Sequence, residues 1–105
     1  MGTASFSVGT YARIRGGGAA NVMSSRIRVS GAFTTSTAAA TLQDSTAANV
    51  TLSSGEVLQI HADEAMRIRF GGVAATASTG HYIPAGGQVE FECNDPGLIS
   101  IIDVA

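Results

Sequence analysis

The sequence predicts an all-β chain, a small β-sandwich, and three observations carry that prediction. Short runs rich in β-branched and aromatic residues recur: VLQIHA (57–62), AMRIRF (65–70), QVEFEC (88–93) and LISIIDV (98–104). Glycine- or proline-bearing turns separate them: SSGE (53–56), FGGV (70–73), IPAGGQ (83–88) and NDPG (94–97). No segment sustains apolar residues at helical spacing between sensible caps.

Taken in order, the elements begin with strands at SFSV (5–8) and TYARIR (10–15), then the glycine-rich RGGGAAN (15–21) as a flexible joint. RGGGAAN lacks the lysine and the strand-loop-helix setting of a phosphate loop. SSRIRVS (24–30) reads as the next strand. Residues 31–55 follow, of which 18 of 25 are Ala, Thr, Ser or Gly and only Asp44 is charged. They read as an extended excursion between sheets or a pair of small-residue strands, ordered against a neighbouring subunit. A single helical turn within 36–52 is the one helical expectation, and ANVTL (48–52) is a further strand candidate. In IPAGGQ, Pro84 fits the second turn position with Gly86 at the fourth; in NDPG, Pro96 and Gly97 fit the centre of a type II turn. About seven or eight short strands in one domain, 1–105, fit a sandwich.

Composition bounds the function. Ala, Gly, Ser and Thr supply 51 of 105 residues, so the core is thin. A thin core leaves little folding stability unless neighbouring subunits bury more apolar surface. Charge is sparse at 13% and the net is −2, which argues against disorder and against a nucleic-acid module. The lone Cys93 forms no internal disulfide. No basic-then-apolar leader opens the sequence, and no run approaches a membrane span.

All six basic residues are arginines in three Arg-Ile-Arg copies: Arg13 and Arg15, Arg26 and Arg28, Arg67 and Arg69. Alternation along a strand puts Met66, Ile68 and Phe70 on one face and Arg67 and Arg69 on the other, with Ile27 and Val29 inward likewise. VEFEC is the acidic counterpart: Val89, Phe91 and Cys93 inward, Glu90 and Glu92 outward. The arginines and these two glutamates are therefore candidate inter-strand or inter-subunit ion pairs. LISIIDVA is apolar on both parities. Leu98, Ile99, Ile101 and Ile102 form a candidate subunit-contact strand, unless a bulge shifts the register midway.

The sequence names no catalytic residue, cofactor or metal. His61, Asp63 and Glu64 in IHADEA offer too few ligands with the only other imidazole at His81, in a Gly/Ser/Thr loop, and Cys93 sits at an inward strand position. The expectation is a non-enzyme.

From GEVLQIHADEAM to the end, the features AMRIRFGG, YIPAGGQVEFE and the closing LISIIDVA resemble the small all-β virion proteins of tailed bacteriophages, head decoration or cement proteins among them. That resemblance implies a β-sandwich or jelly-roll-like module that stabilises a head shell by binding between capsid subunits. It implies the major capsid protein or another virion protein as partner, a homo-oligomer with the trimer favoured, and a virion location reached from the host cytoplasm. It also implies a gripping arm, for which residues 1–20 (a flexible N-terminal arm) and 31–55 are the candidates. A neck, tail or receptor-binding accessory is the alternative. A glycan-binding β-sandwich is the alternative from another class, with Tyr11 and Tyr82 as platforms. Neither nucleic acid nor membrane is expected.

Overall fold

The computed structural model describes the backbone of residues 2–13 and 19–104 and the side chains of residues 2–10 and 27–104. It is all-β, with no helix among the described residues. The strands are β1 (Thr3–Arg13), β2 (Ala19–Thr34), β3 (Ala40–Thr41), β4 (Thr51–Leu52), β5 (Val57–Ala62), β6 (Met66–Arg69), β7 (His81–Ile83), β8 (Gln88–Glu92), β9 (Gly97–Leu98) and β10 (Ser100–Asp103).

Two four-stranded sheets, ordered β2-β1-β5-β8 and β3-β10-β6-β7, form the sandwich, and β4-β9 makes a small third sheet. The pairings nest: β6 with β7, β5 with β8, β4 with β9, β3 with β10. From β3 to β10 the chain is thus one long antiparallel ribbon folded over itself, the wrapped arrangement of a jelly roll. β1 pairs with β2 on one side and β5 on the other, standing where a strand after β10 would complete the series.

Alternation builds the core. Ala4, Phe6 and Val8 of β1, Leu58 and Ile60 of β5, Met66 and Ile68 of β6, Ile83 and Ile101 are all buried in one cluster. The opposite parity of the first sheet gives an outer face with rows Ser30–Ser7–Gln59–Glu90 and Ala32–Ser5–His61–Gln88. Residues 2–10 are therefore no free arm. Gly2 is buried, its amide donates to a carboxylate oxygen of Asp103 at 3.2 Å, and its carbonyl accepts from Thr35 N–H at 2.8 Å. The other Asp103 oxygen accepts from the Thr35 hydroxyl, which satisfies this buried carboxylate.

Residues 31–55 hold the end of β2, then β3, a tight turn and β4, with Leu42, Val50 and Leu52 buried in the core. No helical turn forms at 36–52: Asp44 gathers the Thr46 and Ala48 amides and the Thr46 hydroxyl, and Ala47 takes φ +64. Side-chain capture of backbone donors favours this turn over helix. The turn at 84–87 is one residue out of the expected register. Gly87 N–H donates to the Pro84 carbonyl at 2.9 Å, so Pro84 opens the turn and Gly86, at φ +77, takes its third position. At NDPG the bend falls on Asn94–Asp95, and Gly97, at φ +125, already begins β9.

The molecule measures 45 × 25 × 24 Å. β1 is supported by β5 only as far as the pair Gly9↔Val57. Beyond it, Thr10–Arg13 and the facing part of β2 continue as a two-stranded ribbon paired at Tyr11↔Met23 and Arg13↔Ala19. Register shifts after Val8, Gly9 and Tyr11 interrupt it. Such bulges bend and twist a ribbon, and the first leaves Ile27 46% exposed where strict alternation predicted it inward. The expected joint at 15–21 lies outside the described residues up to Gly18 and within β2 from Ala19.

Candidate functional site

The strand order decides which charges meet. β8 lies beside β5, so Glu92, Glu90 and Gln88 face Val57, Gln59 and His61, and no arginine is their cross-strand neighbour. Glu90 and Glu92 are exposed and form none of the described ion pairs. Arg28 instead forks onto Glu56, Nε to Oε2 at 2.7 Å and Nη2 to Oε1 at 3.0 Å, and donates to the Thr51 carbonyl. Glu56 also accepts from Ser53 N–H, so this arginine fastens β2 to the β4–β5 turn. The pairing lowers the Glu56 pKa and raises that of Arg28, mainly through the hydrogen bond between them.

Arg67 forms none of the described ion pairs either. Its Nε and Nη1 donate to the carbonyls of Ala77 and Gly80, at 3.2 and 3.0 Å, and its guanidinium lies 5.3 Å from the Tyr82 ring centroid. It therefore straps the 71–80 loop onto the outer face of the second sheet. Arg69 is exposed. The side chains of Arg13 and Arg26, and all of Arg15, lie outside the described residues.

The apolar end strand is also rearranged. At Ile99 the chain leaves β9 and enters β10, switching sheets, so the register break replaces a doubly apolar strand. Ile99 and Ile101 are core residues. Ile102 is only 7% exposed, on the face where Ala75 N–H donates to Ser100 Oγ and Arg67 holds the loop. The chain covers its own strand on both sides, and of the four candidate contact residues Leu98 alone is exposed, at 37%.

The described residues hold no cluster of three metal-ligating side chains. Asp63 accepts from Thr3 N–H, and His61 lies on the outer face of the first sheet beside Ser5 and Gln88. Cys93 is buried, and its thiol pKa is raised first by burial, then by the charges of Asp95 and Glu56. That keeps it from being a ready nucleophile.

One site was not foreseen. Phe70, His81 and Phe91 continue the inward parity of β6, β7 and β8 and meet at the mouth of the core. Their ring centroids are 5.1 Å (Phe70–Phe91), 4.9 Å (His81–Phe91) and 5.9 Å (Phe70–His81) apart, all tilted. They close the seam between β7 and β8, each the last strand of its sheet. Two open clefts of about 540 and 270 Å³ flank the trio and share Phe70, His81 and Asp95. Arg69 lines the larger cleft; Glu90 and Glu92 line the smaller. His81 was expected in a loop. Only the nested pairing of β5–β8 around β6–β7 brings it to Phe91, and no local signal announces that.

In comparisons with known proteins, no protein-family model, no curated protein and no solved structure matches the chain.

Proposed function

We propose that this chain is a structural component of a tailed-phage virion, a decoration or cement module that docks on the head shell between capsid subunits. A neck or tail accessory is the alternative placement. The observation that carries the reading is the β1–β2 ribbon running past its last supporting strand. A two-stranded ribbon alone is marginally stable in water and gains stability when a further strand or surface covers it. The outer face of the first sheet adds a second contact, where the small Ser5, Ser7, Ser30 and Ala32 permit close approach and Gln59 and Gln88 offer hydrogen bonds to a partner. The resemblance of AMRIRFGG, YIPAGGQVEFE and LISIIDVA to virion proteins points the same way. Repeated weak contacts over a shell would stabilise it by mass action and multivalency.

The test is co-sedimentation of the purified chain with heads, lacking it, of the phage that encodes it. Saturable retention, and a rise in the temperature at which the heads open, are expected. Retention on isolated necks or tails alone would move the protein to the alternative site.

A glycan-binding role is the second reading, favoured by the exposed Phe70–His81–Phe91 cleft and by Tyr82, 51% exposed. The jelly roll serves capsids and lectins alike, so fold does not choose between them. A saturable glycan-array signal without shell binding would establish that role instead.

A further inference from the structure

We propose that the outer edge of β8 is a docking site for an extended, basic segment of a partner protein, which joins the first sheet as an added strand. This goes beyond the virion reading and does not depend on it.

The backbone of β8 is only half used. Cys93 N–H donates to the Glu56 carbonyl at 2.8 Å, and Ala62 N–H to the Gly87 carbonyl at 2.9 Å. These bonds fix the phase of the β5–β8 ladder, in which Val89 and Phe91 turn their N–H and C=O groups toward β5. Gln88, Glu90 and Glu92 therefore turn theirs away from it, and β8 is the last strand of its sheet. All three residues are exposed. No proline and no register shift interrupts Gln88–Glu92 to blunt the edge. β3 and β7, which also end a sheet, have two and three residues, too few for a ladder. The described end of β2 is open as well, but Ser30, Ala32 and Thr34 beside it select no partner.

The core is unfinished at the same edge. Val89 and Phe91 are only half-buried and His81 is exposed, although all three have inward parity. A strand laid along β8 puts the residue opposite Phe91 on this inward side, where an apolar side chain covers Phe91 and His81. The residues opposite Glu90 and Glu92 fall on the outer side, within reach of two carboxylates that form none of the described ion pairs. Asp95 adds a third carboxylate, and no arginine lines the cleft that the three share. The edge thus selects a basic–apolar–basic segment. Its carboxylates also keep two copies of β8 from pairing with each other.

The experiment titrates the isotope-labelled, full-length chain with a capped seven-residue peptide that alternates valine with arginine, followed by NMR. Saturable shifts centred on Gln88–Glu92 are expected, with amide exchange of Glu90 and Glu92 slowed in the complex. Methylating the peptide's arginine amides leaves its charge intact but removes backbone donors, and should weaken binding at least about tenfold. Glu90→Lys with Glu92→Lys, both at exposed positions, should weaken the arginine peptide at least about tenfold and instead take up a peptide with glutamate in place of arginine. No saturable shift at millimolar peptide, shifts centred elsewhere, equal binding of the methylated peptide, or a charge-reversed chain that still prefers arginine would each overturn the proposal. Shell binding is read separately, so a chain that takes the peptide but ignores heads defeats only the virion reading.

Discussion

At the scale of single residues, the polar side chains that matter hold turns rather than pair strands. Arg28 and Glu56 join β2 to the β4–β5 turn, and Asp44 organises its own turn through the Thr46 hydroxyl and the Thr46 and Ala48 amides. Both carboxyls have folded-state pKa values below their ordinary 3.8 (Asp44) and 4.5 (Glu56). A depressed folded pKa means that the unfolded chain binds the proton more tightly. The contribution is therefore whole above the ordinary carboxyl values and lost as pH falls through the lower folded ones. Urea titrations across that acidic range should show declining stability, with a shallower decline in Glu56→Gln. Arg28 is half exposed, so a double-mutant cycle with Glu56 should return a coupling of only about 0.5–1 kcal/mol. The alternation of the Arg-Ile-Arg stretch at β6 was legible: Met66 and Ile68 are buried while Arg69 is exposed. The partners were not, because which carboxylate an arginine meets depends on strand order. Strand order is a property of the whole chain.

At the scale of elements, the β6–β7 connection shows how a loop can substitute for a subunit. Arg67 holds two of its carbonyls, Thr76 and Thr79 exchange backbone hydrogen bonds, and Ser100 receives the Ala75 amide. Gly80 makes the approach feasible. It sits at φ +117, and a Cβ there would lie 2.9 Å from the Ile68 carbonyl oxygen. Gly80→Ala should cost more than about 1 kcal/mol, since both backbone conformation and contact oppose it. Gly55→Ala, also at positive φ but with open space around it, should cost less. Urea midpoints of the two variants against wild type decide the ranking. β5 was predicted to the residue and β8 nearly so, because clear alternation and flanking turns define them. β3 and β7, of two and three residues, are too short for periodicity to register. β9 and β10 were read as one strand because both parities are apolar, and the sheet switch at Ile99 leaves no mark in composition.

At the scale of the whole molecule, the sandwich follows from patterning, whereas the projecting ribbon does not. Alternation places Ala4, Phe6 and Val8 in the core, and it continues into TYARIR without showing where β5 stops giving support. The expectation of a grasping segment near the N-terminus had a physical basis in its glycines, but Thr3–Arg13 is a paired strand of the sheet rather than a loose tail. The substitution Ile68→Ala, at the centre of the interlayer core, should destabilise the body by roughly 2–5 kcal/mol. Thermal unfolding followed by far-ultraviolet dichroism measures it.

The hydrogen bond between Gly2 and Asp103 brings the start of the first described strand to the end of the last, across the two sheets. A circular permutant that joins these ends through a short linker and opens within 14–18 would move β1 behind β10. The nested pairs would then run without interruption from β6–β7 out to β2–β1. Such a rewired polypeptide should refold to the same sandwich, its arm replaced by two loose strands. Comparing its urea midpoint with that of the native chain would show whether the order of the strands, or only their pairing, decides the fold.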